Sequence, residues 1–389
     1  MNNNIKIGLI SCYEVYNYGS QLMSLALQMM IEELGLTCEH IQYIPKKDLH
    51  FYCSIPFKLI NKPLKKHKKE IKEKISIIKQ DKARQQQEIL RKNSFNKFIN
   101  KNLTLSRRVE GYKSLKEIAK SYQCILLGSD QVWHPMNLEG DYKNMEFVPD
   151  NIPKIVYGAS FGVTDIPVYQ RKRTIHYLKR ISYISTREQE GADLVEKLIN
   201  RKVEVVLDPT LMTKKEQWEN KISKKFIPNK SYIFVYFLGN NILYRQKVKE
   251  LKEKTNLIVI GIDSYDFKDI NYIDININEA GPDDFIALIK YAKYICTDSF
   301  HGSVFSILYK KQFLTFFRYM EGSKMSANSR IKSLFSQLEL NERIYKNDTD
   351  IFIEINKNID YIKVENILEK LRMKSKNYLI NALKGYKIL

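Results

Sequence analysis

Short apolar runs alternate with stretches of helical periodicity along most of this chain, and this alternation limits the possible folds more than any other feature. The first run, IKIGLIS, is followed by a helical pattern that ends at Gly35. Such alternation is typical of βαβ units, in which a helix connects two parallel strands. We therefore predict an α/β protein with parallel sheets. Further strand candidates follow in this order: QCILLG, KIVYGASF, RISYIST, VEVVLD, SYIFVYFLG, NLIVIGI, YICTDS and QFLTF.

The strand candidates fall into two series, which indicates two domains. A chain of 389 residues is longer than a single core usually supports. The charged, proline-containing stretch KISKKFIPNK at residues 221–230 separates the two series. We predict one domain at residues 1–222, a second at residues 223–360, and a closing helix at residues 361–389, where apolar residues recur at helical spacing.

A basic helical insertion is predicted at about residues 61–110 of the first domain. Residues 61–100 contain 13 Lys and Arg against 4 Asp and Glu, a net charge of +9 within the overall +20. Ile71, Ile75 and Ile78 recur at helical spacing, so one face of this segment is apolar. The lysines either form a solvated face or meet an anionic partner. Because no nucleic-acid-binding motif accompanies the charge, we predict no nucleic-acid partner.

The remaining composition favours a cytoplasmic protein. No window approaches 18 uncharged apolar residues, and the start, MNNNIKIGLIS, lacks the apolar core and cleavage site of a signal peptide. The 5 cysteines are far apart and form no C-x-x-C pair. That spacing argues against a disulfide framework or a zinc site, so we predict no metal and a reducing compartment.

Polar loops follow the strand candidates at the end where each strand stops. In a parallel sheet the carboxyl ends of the strands meet at one edge, and ligands bind there. One such loop could be turn chemistry alone, but the recurrence favours an enzyme with a cleft over a purely structural protein. The loops are NYG (17–19), GSDQVWHP (128–135), SFG (160–162), STRE (185–188), DPT (208–210) and TDSFHGS (297–303).

His301 carries the sharpest signal, because it stands in TDSFHGS at the start of a predicted helix. Free backbone N–H groups and the helix dipole make such a start attractive to anions. A histidine there can give a proton to a phosphate-bearing ligand near neutral pH. Arg187 is equally suited to a surface ion pair with Glu188 or to bidentate binding of a carboxylate or phosphate. Asp208 is predicted to be a turn residue.

The motifs NYGSQ, GSDQVWHP, YGASFG, STRE, DPTLM and TDSFHGSVFSI, in this order, resemble the polysaccharide pyruvyl transferase family. The resemblance covers residues from about 5 to about 340. It implies two Rossmann-like domains that face each other across a cleft, as in GT-B glycosyltransferases, with a C-terminal helix returning to the first domain. It also implies transfer of the enolpyruvyl unit of phosphoenolpyruvate onto two sugar hydroxyls, with release of phosphate and no metal or other cofactor.

The resemblance assigns roles to individual residues. His301 matches the general acid, and Arg187 matches a basic residue that holds phosphoenolpyruvate. Some members have an arginine two positions before the histidine, where this chain has Ser299, and Arg330 is our candidate replacement. A carboxylate, Asp130 or Asp298, could take the proton of the attacking hydroxyl. We predict that Ser299, Gly302 and Ser303 also bind the donor, and that the acceptor meets Asn17, Tyr18, Gly19, Ser129, Gln131 and Trp133.

Two other functions remain open at this level. A GT-B glycosyltransferase with a nucleotide-sugar donor would have the same fold. A non-enzymatic nucleic-acid or membrane-surface protein would explain the charge but not the strand-end loops. An acceptor that is a lipid-linked oligosaccharide would bring the enzyme to the inner face of the membrane, where anionic headgroups attract basic segments. The acceptor sugar and the oligomeric state cannot be read from these residues.

Overall fold

The structure is a computed structural model, and it describes residues 6–48, 52–53, 82–137, 142–262, 271–318, 328–346 and 349–389. The predicted stripe of Ile71, Ile75 and Ile78 lies outside the described residues. The last part of the basic insertion is a helix that is described from Lys82 to Asn102.

The first half of the chain forms a parallel α/β layer. Its described strands pair in the order β2-β1-β5-β6-β7-β8, and β3 pairs with β4 in a separate two-stranded ladder. The elements in chain order are β1 (Lys6–Ile10), α1 (Tyr18–Glu32), β2 (Thr37–His40), β3 (Tyr43–Ile44), α2 (Lys82–Asn102), β4 (Val109–Glu110), α3 (Gly111–Ala119), β5 (Cys124–Leu127), β6 (Lys154–Ala159), α4 (Val168–Lys179), β7 (Tyr183–Thr186), α5 (Gln189–Ile199), β8 (Glu204–Val205), α6 (Pro209–Met212) and α7 (Lys215–Glu219).

The second half repeats this architecture with a smaller parallel sheet. Its described strands pair in the order β11-β10-β9-β12-β13. The elements are β9 (Tyr232–Tyr236), α8 (Ile242–Thr255), β10 (Ile258–Ile262), β11 (Ile275–Asn276), α9 (Pro282–Tyr291), β12 (Tyr294–Thr297), α10 (Phe300–Leu308), β13 (Gln312–Thr315), α11 (Asn328–Gln337), α12 (Ile351–Asn356) and α13 (Tyr361–Gly385). The two sheets separate between α7 and β9; the division of the chain at residue 222 stays a prediction.

The central strands read as unbroken apolar runs because helices cover both faces of each sheet. All four residues of β5 and all five of β9 are buried. In a sheet with one solvated face, polar residues would alternate with apolar ones instead. The carboxyl ends of these strands, and the polar loops that follow them, lie between the two sheets.

The closing helix α13 joins the two halves. Its first turns pack Val364 and Leu368 into the core of the second half. Its last turns pack Leu379 and Leu383 among residues of the first sheet, and the Tyr378 hydroxyl donates a hydrogen bond to Val156 O at 2.8 Å. The predicted return of the C-terminal helix to the first domain is confirmed.

Helix α1 is buried along most of its length and faces both halves. Asn17 caps it by accepting a hydrogen bond from Ser20 N at 3.2 Å. The predicted stop at Gly35 is slightly displaced, because the helix ends at Glu32 and a turn follows. Gly35 adopts φ +76°, a conformation that glycine reaches at little cost, and this lets the chain turn back into β2.

Candidate active site

Loops from both halves bring four ionisable side chains together. Asp130 follows β5, Arg187 follows β7, Asp208 comes after β8, and His301 lies in the first turn of α10, after β12. Charged atoms of these residues approach each other to within 4 Å. The predicted convergence of strand-end loops therefore includes residues that are more than 90 positions apart in the chain.

The centre of this group is a buried ion pair between Arg187 and Asp208. Arg187 Nη1 lies 2.5 Å from Asp208 Oδ2, and both side chains are almost fully buried. Asp208 also accepts hydrogen bonds from Ser129 Oγ at 3.2 Å, and from the N–H and the hydroxyl of Thr210. Burial alone would raise the pKa of Asp208, but Arg187 and His301 outweigh it and hold that pKa well below its usual value. Asp208 therefore stays ionised.

His301 reaches the ion pair from the opposite half. Its Nε2 atom is 3.7 Å from Asp208 Oδ1, beyond hydrogen-bond length but close enough for charge attraction. The side chain is 7% exposed, and Nε2 has no hydrogen-bond partner among the described residues. Ser299 caps α10 by accepting a hydrogen bond from Gly302 N at 3.3 Å. This cap fixes the first turn that carries the imidazole.

Asp130 forms the other side of the group. Its φ of +84° is rare for a residue with a side chain, and such outliers concentrate at functional sites. The carboxylate accepts hydrogen bonds from Ser20 Oγ at 2.6 Å and from Gln131 N at 2.8 Å. Burial would raise the pKa of Asp130, but the charges of Arg187, His301 and Arg330 lower it below its usual value.

Arg187 and Arg330 form a pair of cations over one aromatic ring. Their guanidinium carbons lie 4.5 Å and 5.8 Å from the centroid of Phe300. Burial, followed by the charge of Arg187, lowers the pKa of Arg330 to about 10. Nε and Nη2 of Arg187 and Nε of Arg330 are buried with no hydrogen-bond partner in the described part of the chain. Burying positively charged N–H donors close together costs free energy unless an anion binds them.

Asp298, one of the two predicted proton acceptors, makes its contacts within the second half. Its two carboxylate oxygens accept hydrogen bonds from Leu238 N and Gly239 N, each at 2.7 Å. Arg318 Nη2 donates to its backbone carbonyl at 3.1 Å. The side chain thus joins the loop after β9 to the loop after β12. The reaction proposed below therefore uses Asp130 as the proton acceptor.

Gly302 and Ser303 are also engaged within the second half. The Gly302 N–H is used by the Ser299 cap, and a side chain at 302 would meet Thr297 Oγ1 at 2.5 Å. The Ser303 hydroxyl bonds to Ser299 O and to Thr315 Oγ1. These contacts engage the groups that we expected to bind phosphate, and a role for Gly302 and Ser303 in donor binding stays a prediction.

The predicted acceptor residues separate into buried and half-buried groups. Trp133 is fully buried, packs against Phe161 and donates to Lys143 O at 3.3 Å, which places it in the core of the first half. Tyr18 is also fully buried and contacts the second half. Gln131 is half-buried beside Asp130. Three further predicted residues serve local structure: Asn17 caps α1, Gly19 contacts His301, and Ser129 bonds to Asp208.

Several residues near the reacting groups were not predicted from sequence. Asp208 was interpreted as a turn residue; it does cap the short helix α6, and it also binds Arg187. Ser20 binds Asp130. Glu188 is buried and accepts a hydrogen bond from Phe161 N at 3.2 Å; burial raises its pKa. The position of each beside a named motif residue was a usable signal, but nothing in the sequence showed which partner each would meet.

In the described part of the chain, no group of three or more His, Cys, Asp and Glu side chains could hold a metal ion. No described helix is long and apolar enough to cross a membrane. Whether the reaction needs a metal or other cofactor, and where in the cell the protein lies, stay predictions.

Solved structures share the overall fold at low sequence identity. A protein named as a UDP-N-acetylglucosamine 2-epimerase from Listeria monocytogenes is 8% identical with TM-score 0.53, over 99% of this chain and 97% of that chain. A glycosyltransferase from Rickettsia africae is 12% identical with TM-score 0.49, over 99% of this chain and 98% of that chain. At such identities a likeness shows the fold alone, and the Listeria structure, whose TM-score is above 0.5, confirms the predicted GT-B-like α/β architecture.

Sequence comparison identifies the family. The chain matches no curated protein. The family described as polysaccharide pyruvyl transferase matches residues 17–319, which include NYG, GSDQ, STRE, DPT and TDSFHGS. The loops that carry Asp130, Arg187, Asp208 and His301 therefore lie inside the match, whereas Arg330 lies beyond its end. The chain belongs to the polysaccharide pyruvyl transferase family and is a transferase.

Proposed function

We propose that this enzyme transfers the enolpyruvyl group of phosphoenolpyruvate onto two hydroxyls of a sugar in a cell-surface polysaccharide or its precursor. The products are a cyclic pyruvate ketal and phosphate. The observation that carries the proposal is a set of buried nitrogen atoms on Arg187, Arg330 and His301 that have no hydrogen-bond partner among the described residues. Family membership supplies the class of reaction, and these donors supply a reason for an anionic donor substrate.

The donor substrate fits the charges of this site. A phosphate monoester carries about −1.5 to −2 charges at neutral pH, and the carboxylate of phosphoenolpyruvate adds another. Guanidinium groups bind both kinds of oxyanion through paired N–H donors. Arg187 has its Nη1 occupied by Asp208, which leaves Nε and Nη2 for the substrate. Arg330, held at 4.0 Å from Asp130, supplies the second cation.

The first step is addition across the enol double bond. His301, in its charged form, gives a proton to the methylene carbon, and C2 becomes an oxocarbenium-like electrophile. A sugar hydroxyl forms a bond to C2, and Asp130 takes the hydroxyl proton. The low pKa of Asp130 keeps it ionised and ready to accept. The product of this step is a tetrahedral adduct that still carries phosphate.

The second step closes the ketal. The C2–O bond to phosphate breaks, the leaving group takes the electron pair, and a second hydroxyl of the same sugar bonds to C2. Of the two hydroxyl protons released, one replaces the proton given to the methylene carbon and the other leaves with phosphate. Arg187 and Arg330 stabilise the charge that develops on the departing phosphate.

The acceptor side is best placed beside Asp130. Gln131 is half-buried next to it, and Glu14 and Tyr16 are exposed on the loop before α1. Burial lowers the pKa of Lys143, but Cys12 and, after it, Asp130 outweigh burial and raise that pKa, so the charges of Lys143 and Asp130 act on each other. We propose Lys143 as an acceptor contact in addition to the predicted Asn17 and Gln131.

Phosphate release from phosphoenolpyruvate, measured against a panel of sugar and lipid-linked sugar acceptors, tests the function. We expect phosphate release to depend on the acceptor, and the mass of the acceptor to increase by that of one pyruvate ketal. Binding and turnover of a nucleotide sugar, with no response to phosphoenolpyruvate, would establish the GT-B glycosyltransferase alternative. The structural likeness to sugar-nucleotide enzymes shows the fold alone, so it does not favour that alternative.

A lipid-linked acceptor would place the enzyme at the inner face of the membrane. Anionic headgroups attract a basic segment by about 1 kcal/mol for each nearby Lys or Arg. We expect the protein to sediment with anionic vesicles at low salt, and substitution of Lys65, Lys66, Lys68 and Lys69 by Gln to weaken this. A protein that stays in the supernatant at low ionic strength would contradict the membrane proposal while leaving the reaction intact.

A further inference from the structure

We propose that Gly19 positions the imidazole of His301 from the opposite half of the molecule, in the orientation that its role as proton donor requires. This inference rests on the proposed function, because it gives His301 its role. The sequence interpretation placed Gly19 among the acceptor contacts, but the structure shows it against the histidine ring.

The contact is close enough to exclude any side chain at position 19. A Cβ atom there would lie 1.9 Å from Nδ1, 2.4 Å from Cγ and 2.7 Å from Cε1 of His301. Non-bonded carbon atoms normally stay about 3.5–4.0 Å apart. An alanine at this position would therefore displace the imidazole, the start of α1, or both.

The backbone gives no other reason for a glycine. Gly19 lies in the first turn of α1, and it is absent from the glycines with positive φ. Alanine is the better helix former at such a position, because it loses less backbone freedom on folding. The space taken by His301 therefore accounts for the residue type.

The residues on both sides of Gly19 hold this turn in place. The Tyr18 hydroxyl donates to Ala280 O at 3.0 Å, and its ring stacks on Phe285 at 4.8 Å, both in the second half. Ser20 Oγ donates to Asp130 at 2.6 Å in the first half. The start of α1 is thus attached to both halves, with Gly19 between the two attachments.

This arrangement selects which ring nitrogen of His301 meets the substrate. The Nδ1 side of the ring packs against Gly19. Nε2 points to the side of Asp208, buried and without a hydrogen-bond partner among the described residues. A ring displaced by a side chain at position 19 would lose that direction, although Arg187 and Arg330 would still bind the donor.

A double-mutant cycle between positions 19 and 301 tests the contact without reference to any reaction. We expect Gly19→Ala to lower the melting temperature of the wild-type protein. In the His301→Ala background the same change should leave the melting temperature unchanged or raise it, because the obstructing ring is gone. Gly35→Ala is the matched control: it strains a glycine at φ +76° with no atom within 4 Å of its Cβ, so its effect should be equal in both backgrounds.

Activity gives the second measurement. We expect Gly19→Ala to reduce kcat for phosphate release by about a hundredfold, as a misplacement of roughly 1 Å can do. Binding of phosphoenolpyruvate, measured by titration, should change far less, and Gly35→Ala should retain kcat.

The outcomes separate the two proposals. Equal effects of Gly19→Ala in both backgrounds, or a kcat within twofold of wild type, would overturn the positioning role. A wild-type protein that never releases phosphate from phosphoenolpyruvate, but shows the predicted coupling, would overturn the proposed reaction and leave the contact between Gly19 and His301 standing.

Discussion

Asp130 and Asp298 each follow a central strand, β5 in the first sheet and β12 in the second, yet their carboxylates meet opposite surroundings. Asp130 faces Arg187 and Arg330 and accepts hydrogen bonds from the Ser20 hydroxyl and from Gln131 N. Asp298 turns back into its own half, where it accepts two backbone N–H groups and lies 3.5 Å from Nη2 of Arg318. The first carboxylate lies among cations that a substrate can share, and the second joins two loops.

The difference teaches that residue type and strand-end position do not decide whether an aspartate reacts. Asp130 adopts φ +84°, which directs its chain into the group of charges, whereas Asp298 has no such outlier. A hydroxyl partner can reverse its hydrogen bond, but a backbone N–H can only donate. Asp130 therefore has one oxygen, the one that meets Ser20, whose partner tolerates a change of protonation, whereas both oxygens of Asp298 meet backbone N–H groups.

The largest expected effect concerns His301, the proton donor that the second half contributes. His301→Ala should keep the fold and reduce phosphate release by about a hundredfold or more, since a general acid usually contributes that much. Steady-state phosphate release measures it, with the exposed His176→Ala on α4 as the matched control. A loss of only a few-fold would remove the general-acid role and leave the second half without a reacting residue.

The next effect tests the two aspartates directly. Asp130→Asn keeps the shape and can keep both hydrogen bonds but removes a charge that faces two arginines, so we expect a modest fall in melting temperature at neutral pH and a loss of about a hundredfold in kcat. Asp298→Asn places an amide N–H₂ against a backbone N–H, so we expect a loss of about 1–3 kcal/mol in unfolding free energy. Urea unfolding and kcat on both variants check this. The reverse pattern would show that Asp298 is the proton acceptor.

A smaller effect concerns the binding of the donor substrate by the two arginines beside Asp130. Arg330→Met removes a buried cation whose pKa is lowered to about 10, so we expect equal or greater stability without substrate. Its KM for phosphoenolpyruvate should rise about 10- to 100-fold, the value of one charged hydrogen-bonded contact. Arg187→Ala should weaken the donor similarly but also destabilise the fold, because it leaves Asp208 buried and unpaired.

Exposed Arg171, which pairs with Asp165 on the surface, provides the matched arginine control. Arg171→Ala should leave the KM for the donor unchanged. A donor analogue found far from both Arg187 and Arg330 would refute their assignment, and a strong loss of stability in Arg330→Met would show that its cation is structural.

The smallest expected effect is on acid stability. The folded-state pKa of Asp130 lies below its unfolded value, so its charge stabilises the fold fully above about pH 4. That contribution is lost as the pH falls below this value and the carboxylate becomes protonated. Asp130→Asn should therefore show a shallower loss of stability below about pH 4 than wild type, measured as urea midpoints. Parallel curves for the two proteins would contradict the lowered pKa.

The sequence by itself determined the layered fold and the family. The unbroken apolar runs of β5 and β9 predict strands buried on both faces, and their alternation with helical patterns predicts parallel connections. Both follow from local periodicity, which neighbouring residues carry. The strand β2 was not predicted, because its residues TCEH are mostly polar. Glu39 and His40 form hydrogen bonds with Tyr122 and Ser11, which lie far away in sequence.

Only the tertiary structure decided the partners of the charged residues. Ser129 and Asp208 are separated by 79 positions, Ser20 and Asp130 by 110, and their hydrogen bonds exist only because separate strand ends meet at one sheet edge. The tertiary structure also decided which residues are buried. Trp133 belongs to the polar motif GSDQVWHP, yet it lies in the core. Contact and desolvation depend on distances in space, so a motif marks where chemistry can occur, and packing determines which side chains perform it.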